Sequence, residues 1–159
     1  MQILIWHNVA EIFKGFGKLP AMVAFTDRDI IGGSNYFSVM VMGQEAVKHP
    51  GHGPHIHQDA ELLAFLGTDM NNPRDLGAKA EMGMGLEMET HAITESTIIW
   101  IPAKFVHGPF RVLEVSRPFL LIQCQYAPKL TETGLKKLVK EELRDKMIFM
   151  DVDGTETDA

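Results

Sequence analysis

His55-Ile56-His57-Gln58-Asp59-Ala60-Glu61 decides how this chain is read, and Pro102-Ala103-Lys104-Phe105-Val106-His107 completes the reading. On a strand, side chains two residues apart share a face, so His55 and His57 point the same way. On a helix each residue advances by roughly 100°, which would turn the pair about 200° apart. The approach, Pro50-Gly51-His52-Gly53-Pro54, disfavours a helix because Pro54 fixes φ and Gly53 adds backbone freedom. The pair is therefore predicted on a strand, with Glu61 opening the apolar run Leu62-Leu63-Ala64-Phe65-Leu66. The imidazoles of His55, His57 and His107 together with the Glu61 carboxylate suit a divalent transition metal. Buried without an ion, such groups would cost ~1–3 kcal/mol for each one left unsatisfied. A cation satisfies all four at once, and structural metal sites bind with ~10 kcal/mol or more.

Outside these segments the sequence sets bounds. A chain of 159 residues is large enough for one core without disulfides or structural zinc. Its single cysteine, Cys124, excludes an internal disulfide and a multi-cysteine metal cluster, and its apolar setting reads as a buried inert thiol. The opening Met1-Gln2-Ile3-Leu4-Ile5-Trp6 lacks the basic flank of a secretory signal, and no apolar run is long enough to cross a bilayer. A cytoplasmic protein without a membrane partner is expected. The formal charge of −6 argues against nucleic acid as a partner, while leaving room for an anionic small ligand near a local cation.

Short apolar or alternating runs between turn residues give an all-β expectation. Strands are predicted at 1–6, 22–26, 36–42, 55–57, 61–66, 79–84, 96–101, 108–115 and 118–126, with a surface loop over 69–77. A short helix is expected from an Asn8 cap through Val9–Lys14. A C-terminal helix is expected over Gly134–Lys146, with Leu135, Leu138, Val139 and Leu143 on one face. The whole reads as one domain: 1–35 as N-terminal strands and helix, 36–126 as the barrel, 127–159 as helix and acidic tail.

The two histidine segments resemble the paired motifs of the cupin superfamily. The first, G-x5-H-x-H-x3,4-E-x6-G, is matched by His55, His57, Glu61 and Gly67, the last one residue early. The second, G-x5-P-x-G-x2-H-x3-N, is matched by Pro102 and His107. His49 stands where the first motif opens on glycine, Lys104 where the second has glycine, and Arg111 where it has asparagine. The resemblance covers roughly residues 36–126 and implies a cupin-like double-stranded β-helix, a jelly-roll barrel whose interior receives the four ligands. A second likeness is set aside. Phe149-Met150-Asp151-Val152-Asp153-Gly154-Thr155 resembles the nucleophile motif of haloacid-dehalogenase-like phosphatases, which needs an α/β domain after it. The segment is expected to be a solvated acidic tail.

The metal could be iron, manganese, nickel, cobalt, copper or zinc, since such a ligand set leaves open positions for any of them. Expected chemistry is that of a metal-dependent enzyme on a small organic acid or carbonyl compound, by isomerase, decarboxylase or lyase, or dioxygenase action. Oxidisable methionines (Met40, Met42, Met82 and Met84) tilt the choice away from oxygen. The rival is a non-catalytic cupin that binds or senses a metal or small ligand. Glu61 is expected as ligand or proton acceptor. Arg111 has two readings. In a regular strand it shares the inward face of His107 and holds a substrate carboxylate; with a bulge at Pro109 it turns outward and pairs with Glu114. Gln123 and Gln125 either face the barrel interior or lie exposed. His49 and His52 are placed at the barrel mouth, and His7 and His91 at the surface or an edge. Phe65, Trp100, Phe105 and Phe110 read as core or pocket walls. A homodimer is expected, through sheet edges or the strand Gln2–Trp6.

Overall fold

The computed structural model describes residues 22–153. The strand predicted at Met1–Trp6, the helix predicted at Val9–Lys14, His7 and the residues beyond Asp153 lie outside them. Among the described residues eleven strands follow in order: β1 Met22–Thr26, β2 Phe37–Met42, β3 His55–Ile56, β4 Glu61–Gly67, β5 Asp75–Met84, β6 Glu89–Glu95, β7 Thr97–Ile101, β8 His107–Val115, β9 Phe119–Gln125, β10 Glu132–Gly134 and β11 Asp151–Val152. They form two antiparallel sheets, ordered β1-β2-β9-β4-β7 and β11-β10-β3-β8-β5-β6.

The period-2 rule explains how the sheets meet. Along β4, Glu61, Leu63 and Phe65 point inward, and β9 answers with Leu121, Gln123 and Gln125. From the other sheet come Leu76, Ala80 and Met82 of β5, Ile93 of β6, and Val112 and Val115 of β8. These side chains fill one end of the space between the sheets. The other end receives the polar groups of β3, β4, β8 and β9. The architecture is a double-stranded β-helix, all-β as expected from the spacing of apolar runs.

Two expectations need correction, and one strand was not expected. Gly134–Lys146 does not form one helix. Glu132–Gly134 pairs as β10 between β3 and β11, Lys136–Leu138 makes a 3-10 turn, and α1 covers only Glu141–Arg144. The backbone N–H of Leu135 donates to Pro54 O at 2.8 Å, and the extended Val139 is buried, so sheet pairing and local docking override helix propensity. The acidic tail, as far as it is described, is not free in solvent: Asp151–Val152 is β11, and the Asp151 carboxylate accepts from the Gly134 N–H at 3.0 Å. The polar stretch Glu89–Glu95 is an edge strand, β6, with Ile93 its one buried side chain. His91 sits there, exposed, as expected.

Gly67, which closes the first motif, has a physical reason to be glycine. A Cβ on it would lie 2.1 Å from the carbonyl oxygen of Asp75, where the chain enters β5. Gly67→Ala is expected to destabilise the domain by about 1–3 kcal/mol, the usual penalty of forcing atoms into a packed position. Chemical denaturation with an unchanged m-value would measure it.

Candidate metal centre

The site is assembled at one end of the barrel, where β3 and β8 of one sheet face β4 and β9 of the other. His55 is the cross-strand partner of His107, and their rings stand 4.1 Å apart between centroids. His57 follows one residue past β3, its ring 4.9 Å from both. One nitrogen from each of the three lies within 4.8 Å of the others. Glu61, first residue of β4, reaches in from the opposite sheet. Its Oε2 is 3.3 Å from His57 Nε2 and 3.2 Å from His107 Nε2. All four side chains are buried.

Each imidazole is oriented by the backbone. His55 Nδ1 contacts Gly53 O at 2.7 Å, His107 Nδ1 contacts Phe105 O at 3.1 Å, and His57 Nδ1 contacts Thr131 O. A carbonyl can only accept, so each Nδ1 carries the proton and each Nε2 presents a lone pair, the tautomer that ligates metals. The Nε2 atoms of His57 and His107 and Glu61 Oε2 are buried without a hydrogen-bond partner. Buried polar atoms are nearly always satisfied, so orphans aimed at a common point fit a divalent cation. Burial opposes ionisation of Glu61, but the adjoining His107 and His57 outweigh it and hold the carboxyl well below its usual range. Burial likewise opposes charging of His57, yet Glu61 raises its pKa. Burial, and then the neighbouring imidazoles of His107, His52 and His57, push His55 well down, keeping it neutral.

A supporting layer had only partial sequence signal. Gln123 donates to Glu61 Oε1 at 2.6 Å, leaving Oε2 to face the imidazoles, and the buried Tyr36 hydroxyl donates to Gln123 Oε1 at 3.4 Å. Burial raises the Tyr36 phenol to about 12. Gln125 donates to Thr131 O and accepts from Thr131 N–H, at 3.2 and 2.9 Å, fixing the carbonyl that orients His57. Both glutamines thus face inward. Thr131 carried no readable signal, because its role arises from a contact 74 positions away. Gln125→Leu is expected to weaken metal binding by about 10–100-fold, as loss of such supporting groups does elsewhere. Titration with a metallochromic competitor would read the change.

Arg111 is not part of this cluster. β8 carries an irregularity where Met82 to Met84 of β5 spans Phe110 to His107, so the register slips by one residue. His107, Phe110 and Val112 face in; Arg111 is 51% exposed and pairs with Glu81 across the ladder, while Glu114 pairs with Lys79. The outward alternative is the one realised, with a different partner. Lys104 keeps the turn that its motif glycine would make: its φ is +61°, and its N–H donates to His57 O at 2.8 Å. The cavity above the ligands, about 1210 Å³, is walled by Met40, Met42, Leu63, Phe65, Met82 and Phe110. Its polar groups include Tyr36, Gln123, His49, His52 and Glu132; among the described residues no lysine or arginine lines it. His49 and His52 do line it; Trp100 and Phe105 are instead exposed.

No family model and no curated protein matches the chain. Among solved structures, it is similar to a recombinant oxalate oxidase in complex with glycolate, at 13% identity over 73% of this chain and 55% of that one, with a TM-score of 0.46. It is similar to the Lactobacillus farciminis oxalate decarboxylase formate complex at 12% identity, covering 72% and 31%, TM-score 0.49. An uncharacterised conserved protein with a double-stranded β-helix domain from Klebsiella pneumoniae matches at 16% identity, 77% and 89% coverage, TM-score 0.42. The chain thus spans 55% and 31% of the two oxalate proteins. Two antiparallel sheets enclose both motif segments and bring their histidines and Glu61 to one place, so the fold is the double-stranded β-helix that the resemblance implies.

Proposed function

We propose that this protein is a metal-dependent enzyme acting on a small organic acid or carbonyl compound bound in the barrel cavity. The observation that carries the reading is the set of buried, unpartnered ligand atoms on His57, Glu61 and His107 at the base of a cavity large enough for a substrate. His55, His57, His107 and Glu61 would hold the ion. A divalent ion so held supplies Lewis-acid polarisation of a carbonyl or enediol, or, if redox-active, dioxygen chemistry. The chain's own residues do the rest. Gln123 orients Glu61, Tyr36 stays protonated and orients Gln123, and the methionine, leucine and phenylalanine walls exclude water. Arg111 is no anchor in this reading. With no guanidinium or ammonium among the described lining residues, a substrate with one chelating head and an apolar body fits better than a dianion.

Elemental analysis of protein purified without an affinity tag identifies the ion. Co(II)-loaded protein is then screened against 2-oxo acids and 1,2- and 1,3-dicarbonyl compounds, with and without oxygen, reading the visible spectrum and product formation. Turnover supports the enzyme reading; tight binding without turnover would favour the binding module.

A homodimer belongs to the same proposal. On the outer face of the five-stranded sheet, Phe37, Cys124, Leu62 and Trp100 form one cross-strand row, and Val39, Ile122, Ala64 and Ile98 the next. Antiparallel sheets usually turn polar residues to solvent. Here Ile98 and Trp100 are 66% and 52% exposed. An apolar face of this kind supports pairing with a second copy. Light scattering of Trp100→Glu should show half the wild-type mass.

A further inference from the structure

Beside the inner ligands lies a second cluster that shares only His55 with them. His52 is fixed by two backbone hydrogen bonds to Phe110, His52 N–H to Phe110 O at 3.2 Å and Phe110 N–H to His52 O at 2.9 Å. Its ring lies 4.6 Å from that of His55. Glu132, on β10, brings its carboxylate to the same place, with Oε1 3.0 Å from His52 Nε2. The Glu132 side chain is 2% exposed, and both of these atoms are buried without an aligned hydrogen-bond partner. Ligand atoms of His52, His55 and Glu132 lie within 4.8 Å of one another, as tight a grouping as the inner imidazoles.

We propose that His52, Glu132 and His55 form an outer position for a divalent transition ion, through which the ion is loaded and passed to the inner site. Two imidazoles and one carboxylate are a sufficient set for such an ion, with positions left for water. A simple ion pair explains the cluster less well, because the close His52–Glu132 contact lacks hydrogen-bond alignment. The outer position is the more accessible: the His52 side chain is 27% exposed, against 1–2% for His57, Glu61 and His107. His55 belongs to both groups. With Nδ1 committed to Gly53 O, it has one nitrogen to give, so the two positions compete for it and a chain holds one fully ligated ion at a time. The inference rests on the inner metal reading only through His55 and the hand-over.

The probe is Co(II) alone, followed by its visible spectrum. Wild type should bind one equivalent. His57→Ala/His107→Ala, checked for folding by circular dichroism, should still bind Co(II), more weakly and with an altered spectrum, and adding Glu132→Gln or His52→Ala should abolish that residual binding. In the otherwise wild-type protein, Glu132→Gln should slow Co(II) loading about tenfold or more, since a buried carboxylate no longer draws the cation in, while one equivalent still binds at equilibrium. A folded double variant that binds no Co(II), residual binding indifferent to His52 and Glu132, or an unchanged loading rate would overturn the outer position while leaving the inner site standing. If His57→Ala/His107→Ala binds Co(II) as wild type does, it is the inner reading that fails. Should the double variant not fold, the loading rate of Glu132→Gln decides alone.

Discussion

His57→Ala is expected to lower metal affinity by about 10²–10³-fold, and so are His55→Ala and His107→Ala. Binding energies of about 10–16 kcal/mol for four-ligand sites apportion to about 2.5–4 kcal/mol per ligand, and each 1.4 kcal/mol is about tenfold in affinity. Each removal takes away a ligand and also leaves a backbone carbonyl without its imidazole donor: Gly53 O for His55, Thr131 O for His57 and Phe105 O for His107. His91→Ala, on the exposed face of the edge strand β6, should leave affinity unchanged. Competition titration against a chelator of known affinity measures all four. Unaltered binding in the three inner variants would remove the site altogether.

Removing the metal should lower thermal stability by about 5–10 °C. At a free-ion concentration of a hundred times Kd, binding to the folded state contributes about 2.7 kcal/mol, and a domain of this size moves by about 2–4 °C per kcal/mol. The sign follows from where the ligands are. The barrel brings them together from three strands of two sheets, so the unfolded chain has no comparable site. The Nε2 atoms of His57 and His107 and Glu61 Oε2 lose their only common partner when the ion leaves. Scanning calorimetry with and without a chelator, at fixed protein concentration, tests this. An identical transition temperature in the two conditions would mean that the folded protein takes up no ion under those conditions.

Much of this was legible in the sequence, for identifiable reasons. Histidines two apart with proline and glycine before them favour a strand and one face, and the two imidazoles do meet in one place, although β3 ends at Ile56, one residue before His57. Apolar runs bounded by turns also located β1, β2, β4, β7, β8 and β9 and the second part of β5, whose first residues fall in the stretch 69–77 read as a loop. What stayed hidden depended on distant pairing. Arg111 could not be assigned to a face because a single slip opposite Met82–Met84 reverses it, and Pro109 permits that slip without requiring it. Gly134 reads as the start of a helix, and Glu132 and Thr133 carry no strand signal, until β3 and β11 are seen on either side of them. The strand β6 escaped because an edge needs only one buried residue, and Glu89-Thr90-His91-Ala92-Ile93-Thr94-Glu95 supplies only one. Glu132 and Thr131, which touch His52 and His57, belong to a segment whose importance is set entirely by its neighbours in space.

The turn at Lys104 has a mechanical consequence. Its amide is tied to the carbonyl of His57, so the loop carrying one motif is stitched to the loop carrying the other, three residues before His107. Capture of the ion then asks for little reshaping of the chain, and the entropic toll of gathering remote groups falls on folding itself. A protein built this way should look alike by near-ultraviolet dichroism when empty and when charged, differing chiefly in how firmly it resists heat.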